Sequence, residues 1–147
     1  MTLKKRSYKQ HCPLACGLDV IGERWTLLIV RDLLIGPKRF KELLAGVSGM
    51  GTNLLADRLK ALAKSGLIEQ KVLPPPAAST VYQLTDQGRQ LKGPVSALAR
   101  WGLQFLGDRE TRALSRPEWG LMAMKAAFNP DAAKDFNLCC EWHVDGL

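Results

Sequence analysis

Leucines fall at positions 55, 59 and 62, with Asn53, Asp57, Lys60 and Lys64 set between them. That i, i+4, i+7 spacing puts the leucines on one stripe and predicts a helix over Thr52 to Ser65. Gly66 follows at once, the residue that best tolerates the left-handed backbone past a helix end. Ahead of it, Lys41 to Ala45 predicts a short helix anchored by Phe40, Leu43 and Leu44, and Gly46 to Gly51 supplies a turn of small residues. Two helices so joined, the second polar on its outer side, outline a helix-turn-helix. Beyond them, Leu67 to Leu73 and Thr80 to Leu84 are expected to be strands, separated by Pro74-Pro75-Pro76-Ala77-Ala78-Ser79, which cannot continue either one. A hairpin directly after the second helix makes the wing of a winged helix. The fold class is therefore mainly α with a small β wing, an α+β arrangement.

Toward the N-terminus, Pro13 is placed to start a helix with Cys12 at the cap position. Leu18 to Ile35 predicts one long helix ending at Gly36-Pro37; its segment Trp25 to Val30 is apolar almost all round, which implies burial on several sides. Lys4-Lys5-Arg6 and Lys9 form a basic arm expected to be loose as far as Cys12. After the wing, Thr85 caps a further helix that Gly93-Pro94 kinks or restarts. From there Leu98, Trp101, Phe105 and Leu106 keep helical spacing. Asp108 to Arg116 is a charged linker, Pro117 to Phe128 an apolar helix, and Phe136 to Val144 alternates as a half-buried strand does. The expected division is residues 1–107 as a winged-helix DNA-binding and dimerisation domain, and 108–147 as linker, helix and lone strand.

Charge sharpens the functional side. The net charge of +7 is uneven: residues 1–107 hold 16 Lys or Arg against 7 Asp or Glu, and residues 108–147 hold 5 against 7. A basic body suits a polyanionic partner, although solubility alone would also explain it. The uncharged apolar run of about 18 residues that a membrane span needs is absent, since Arg31 and Asp32 break the most apolar stretch. A basic start without an apolar segment after it does not resemble a secretory signal, so a soluble cytoplasmic protein is expected, with no membrane partner.

In order along the chain stand Cys12-Pro13-Leu14, Asp19-Val20-Ile21-Gly22-Glu23-Arg24-Trp25-Thr26-Leu27-Leu28-Ile29 and Gly36-Pro37-Lys38-Arg39-Phe40-Lys41-Glu42-Leu43. Leu55-Ala56-Asp57-Arg58-Leu59, Gly66-Leu67-Ile68 and Tyr82-Gln83-Leu84-Thr85-Asp86-Gln87-Gly88 follow. Together, over roughly residues 12 to 106, this set resembles the HxlR family of bacterial winged-helix transcriptional regulators. The resemblance implies a homodimer on a palindromic double-stranded DNA operator, more often as a repressor, with N- and C-terminal dimerisation helices. Leu98, Trp101, Phe105 and Leu106 are the dimerisation candidates, packing within the chain being the alternative. The segment from Pro117 on resembles the opening helix and first strand of a sterol-carrier-like domain fused behind some of these regulators, which suggests a shortened chain.

In a winged helix the second helix enters the major groove N-terminal end first. Thr52 and Asn53 then face base edges: Asn pairs with adenine, and Thr bonds or touches a thymine methyl. Asp57, one turn on, accepts from cytosine or orients a neighbouring Arg. Ala56 shares that face, and Lys60 and Lys64 suit phosphates. Arg58 lies between the apolar stripe and the DNA face, where it either contacts DNA or buttresses the fold through a salt bridge. Lys38, Arg39 and Lys41 suit phosphate contact, or are simply an exposed basic turn. Ser79 and Thr80 bring the wing to the backbone. Two departures from the family stand out: Gly51 and Thr52 where Ser and Pro are common, and a wing tip without the usual Arg.

Four cysteines and two histidines invite metal or redox readings. They form no CxxC pair, so neither a metal site nor any cofactor is expected. Cys12 is the exception as chemistry. A thiol at a helix N-terminus near Lys and Arg is favoured as thiolate, and the resemblance implies that the Cys of this Cys-Pro motif senses oxidants, quinones or other electrophiles in some members. A small-molecule or oxidant effector is thus expected, against the alternative of a small buried apolar residue. No constellation suggests catalysis, so an enzyme is not expected. A winged helix kept for protein association, or an apolar-ligand carrier module, is the other functional class left open.

Overall fold

The computed structural model describes residues 7–76, 78–106, 116–120, 124, 128, 132–134 and 139. Helix α1 spans Pro13–Ile21 and α2 spans Thr26–Ile35. They are followed by α3 (Phe40–Gly46), α4 (Thr52–Lys64), strands β1 (Ile68–Val72) and β2 (Thr80–Leu84), α5 (Asp86–Arg89) and α6 (Lys92–Gly102). The order is that of a winged helix-turn-helix. The chain divides into two compact units, Met1–Lys92 and Gly93–Leu147.

Within the first unit, the leucine stripe of α4 is buried in one core with residues of α2 and α3. Ile29, Val30, Leu43, Val47, Leu55 and Leu59 are fully buried, with Leu62 beside them. At the end of α4, Gly66 takes φ 73°. Its N–H donates to Ala63 at 3.0 Å and that of Leu67 to Leu62 at 3.0 Å, so the last carbonyls of the helix are satisfied by a Schellman turn. That turn delivers Leu67 and Ile68, both buried, into β1, which pairs antiparallel with β2 in the register Ile68↔Leu84 to Val72↔Thr80. Lys38 adds a bridge on the outer edge of β2, its N–H and C=O exchanging bonds with Tyr82 at 3.0 and 2.8 Å. The wing is thereby tied to the segment ahead of α3.

The long helix expected over 18–35 is two helices. The first ends at Gly22, whose N–H caps onto Leu18 C=O at 2.7 Å and which has no room for a Cβ, 2.5 Å from that same oxygen. Trp25 then takes φ 77° before α2 begins, a left-handed backbone that a bulky residue rarely adopts. Its ring lies beside the α3–α4 turn, where a Cβ on Gly49 would stand 3.8 Å from Cη2. Within Trp25 to Val30, Thr26, Ile29 and Val30 are buried, while Leu28 is exposed. The arm ahead of α1 is not loose over its described part: Asp19 accepts from Ser7 Oγ at 2.8 Å and from Tyr8 N–H at 2.9 Å.

Buried polar groups fix the corner between α2 and α3. Asp32 is 3% exposed and pairs with Arg31 Nε at 2.9 Å, while Arg31 NH2 donates to Gly46 C=O at 3.2 Å. After the wing, Thr85 Oγ1 caps α5 by accepting from Gly88 N–H at 3.1 Å. The helix restarts at Lys92, which leaves Pro94 in the first turn, where a missing N–H forfeits no bond.

In the second unit α6 runs into a 3-10 turn, Leu103–Phe105, and Trp101 and Phe105 meet edge to face at 4.9 Å. Residues 117–120 and 124 are helical, as the apolar run after Pro117 predicts. The strand expected over 136–144 lies outside the described residues, Cys139 apart.

Candidate nucleic-acid interface

The burial of Leu55, Leu59 and Leu62 turns the opposite side of α4 outward. Thr52, Asn53, Asp57, Lys60 and Lys64 are all exposed there, and Ala56 is half-buried among them. Gly51, in extended conformation at φ −75°, ψ 154°, starts the helix without a side-chain cap. Its backbone carbonyl accepts from Leu55 N–H at 3.1 Å. The first-turn N–H groups are therefore left without a side-chain cap, adding the partial positive charge of a helix start to the Thr52–Asn53 end.

Two of the expected phosphate ligands stand at the start of α3. Lys41 is exposed; Arg39 is exposed too, but its Nε donates to Ser79 Oγ at 3.1 Å. That bond brings together two residues singled out separately in the sequence, and joins the start of α3 to the loop that connects β1 and β2. The Arg39 N–H donates to Glu42 Oε2 at 2.6 Å, which caps α3. Lys38 is half-buried, and Thr80 is exposed at the start of β2.

Arg58 does not join this surface. Its NH2 donates to Glu23 Oε2 at 2.8 Å, and its side chain is only 13% exposed. Of the two sequence expectations for Arg58, the buttress is the one its geometry matches. Sequence reasoning missed Glu23 itself, as well as the open groove between α4 and the hairpin, lined by Ala56, Lys60, Ala63, Gln70 and Tyr82. Tyr82 and Gln70 are register partners, with Gln70 Nε2 donating to the Tyr82 hydroxyl at 2.9 Å. The strand spacing held that pairing, but register could not be assigned before the turn was known.

Cys12 occupies the N-cap of α1 in extended conformation and is half-buried; Cys16, one turn on, is exposed. Among the described residues, no three His, Cys, Asp or Glu side chains come together as a metal site would require. Nor, among them, is any helix long and apolar enough to cross a membrane. The four residues expected at a dimer contact are solvent-facing in the single chain: Leu98 is 49%, Trp101 61%, Phe105 65% and Leu106 76% exposed.

A helix-turn-helix whose second helix shows its polar face and whose hairpin follows at once defines a DNA-binding transcriptional regulator of the winged-helix class. Residues 20–110 match the HxlR-like helix-turn-helix family, and the chain belongs to that family. The HTH-type transcriptional regulator YodB of Bacillus subtilis is 34% identical over 101 residues, covering 68% of this chain and 90% of the relative. Among solved structures, reduced YodB superposes with a TM-score of 0.56 at 32% identity, covering 69% of this chain and all (100%) of that one. The redox regulator HypR in its reduced form gives 0.59 at 27% identity, over 65% of this chain and 95% of the other. YodB has also been solved with quinone bound, at a TM-score of 0.54 and 33% identity over 64% and 100% of the two chains.

Proposed function

We propose that this regulator acts as a homodimeric repressor on a palindromic operator, one α4 entering each of two successive major grooves about 34 Å apart. The observation that carries this reading is the open Thr52–Asn53 end of α4, with Lys60 and Lys64 exposed further along the helix and Lys41 exposed in α3. Asn53 and Thr52 read base edges, with Asp57 and Ala56 one turn behind. Lys38, Arg39, Lys41, Lys60 and Lys64 neutralise phosphates, and Ser79 and Thr80 bring the wing to the backbone. Dimerisation through Leu98, Trp101, Phe105 and Leu106 is supported by their exposure, since a contiguous apolar stripe of this size costs solubility unless it is covered. It also doubles the number of bases read.

Control lies with Cys12. The similarity to a redox regulator and to a quinone-bound relative supports a thiol at this N-cap that responds to oxidants or electrophiles. Such a protein works in the cytoplasm, without a cofactor or catalysis, and the segment after Pro117 corresponds to the start of a sterol-carrier-like domain. Selection of bound duplexes from a random-sequence pool, followed by footprinting, tests the main reading. An inverted repeat with half-sites about 10 base pairs apart is expected. Enrichment of no sequence at all would favour a winged helix kept for protein association or apolar-ligand carriage.

A further inference from the structure

We propose that the short connector between α1 and α2, residues 22–25, is a positioning element for α4 and acts on it through Glu23. The leucine stripe fixes which side of α4 faces the core, but apolar contacts alone tolerate small slides and tilts. A directed contact on the helix flank removes that freedom, and Arg58 supplies it. Its side chain is only 13% exposed, its NH2 bonds Glu23 at 2.8 Å, and its Nε is buried with no hydrogen-bond partner among the described residues. Glu23, by contrast, is 55% exposed. The pair is therefore asymmetric: Glu23 gives up little hydration, whereas Arg58 without Glu23 is a largely buried cation with no other ion pair among the described residues. The helix must then shift to let water reach the guanidinium.

A second contact from the same connector reaches the turn ahead of the helix. The Trp25 ring lies beside Gly49, three residues ahead of Thr52, with Arg24 stacked on that ring at 4.8 Å. The φ of 77° at Trp25 is a sparsely populated conformation that persists only where its surroundings hold it. One connector thus bears on both the turn before α4 and the middle of α4. Glu23 is a positioning residue here, touching no DNA in this reading. Its link to base recognition rests on α4 being the DNA-reading helix; its grip on α4 does not.

The test compares Glu23→Ala and Glu23→Gln in the full chain. By hydrogen exchange without DNA, amides 55–58 should exchange at least about tenfold faster in Glu23→Ala, while those of 29–33 in α2 stay at parent rates. Glu23→Gln should fall between the parent and the Ala variant, because its carboxamide oxygen still accepts from Arg58 but brings no counter-charge. Parent-like exchange in the Ala variant, or equal acceleration in Ala and Gln, overturns the clamp. Fluorescence anisotropy then compares a duplex selected by the parent from a random pool with a scrambled duplex of the same composition. Glu23→Ala should lower the selectivity ratio about tenfold with the salt slope unchanged. Equal weakening on both duplexes overturns the positioning role. If the parent itself does not discriminate between duplexes, it is the DNA-reading assignment of α4 that fails, and the exchange data still decide the clamp.

Discussion

A methyl group placed on Gly46 would fall 1.9 Å from Asp32 Oδ2 and 3.1 Å from its carboxyl carbon. Asp32 cannot simply swing away into solvent. Its side chain is 5% exposed and is held by Arg31 Nε at 2.9 Å, while Arg31 is itself tied to Gly46 C=O at 3.2 Å. Gly46→Ala must therefore either overpack the α2–α3 corner, at about 1–3 kcal/mol, or part the buried pair, at about 3–5 kcal/mol. A cost of about 3 kcal/mol is expected, the lower end of the second range and the upper end of the first. With a urea dependence of about 2 kcal/mol per molar, the unfolding midpoint should fall by about 1.5 M with an unchanged slope. Gly17→Ala is the internal control. Gly17 lies within α1 with nothing within 4 Å of an added Cβ, so the change should stabilise by about 0.5–1 kcal/mol. Combining Gly46→Ala with Asp32→Ala should cost less than the sum of the two, because the clash is then absent. A Gly46→Ala midpoint equal to the parent's, or strict additivity in the double variant, refutes the packing of this corner.

Three further outcomes follow from the interface. Asn53→Ala should weaken binding to a selected duplex by about 1–3 kcal/mol per half-site in anisotropy titrations and leave a scrambled duplex unaffected; an equal effect on both would remove Asn53 from base reading. Trp101→Asp should convert a dimer to a monomer in sedimentation equilibrium, since it buries a charge in the stripe that α6 exposes; a parent that is already monomeric contradicts the dimer. Cys12→Ser should make DNA binding insensitive to diamide. If it stays as sensitive as the parent, the sensing thiol lies elsewhere.

Local chemistry was legible, and distant contacts were not. The leucines of α4, the glycine that ends it and the prolines between the strands each act over a few residues, so their spacing was enough to place helix, cap and wing. The break between α1 and α2 left no such signal. Gly22 is a weak hint, because a lone glycine is tolerated in a helix, and a left-handed backbone at a tryptophan has no signature in the sequence. The Glu23–Arg58 bond spans 35 positions, and Arg39–Ser79 spans 40; only the closed fold reveals either. The Arg31–Asp32 pair shows the same limit from another side: as sequence it is an interruption of an apolar run, and as structure it is a buried anchor of the α2–α3 corner.

Salt titration of the selected and scrambled duplexes, with the parent and Lys60→Ala side by side, bears most directly on DNA recognition by α4. For the parent, log affinity should fall steeply and linearly with log salt, at about −0.9 per phosphate contacted, with the selected duplex held more tightly throughout. Lys60→Ala should make that slope shallower by about 2 in a dimer, one contact per protomer, and leave the selectivity ratio unchanged. A slope near zero for the parent, or the same feeble affinity for both duplexes at every salt concentration, would contradict DNA recognition by this helix.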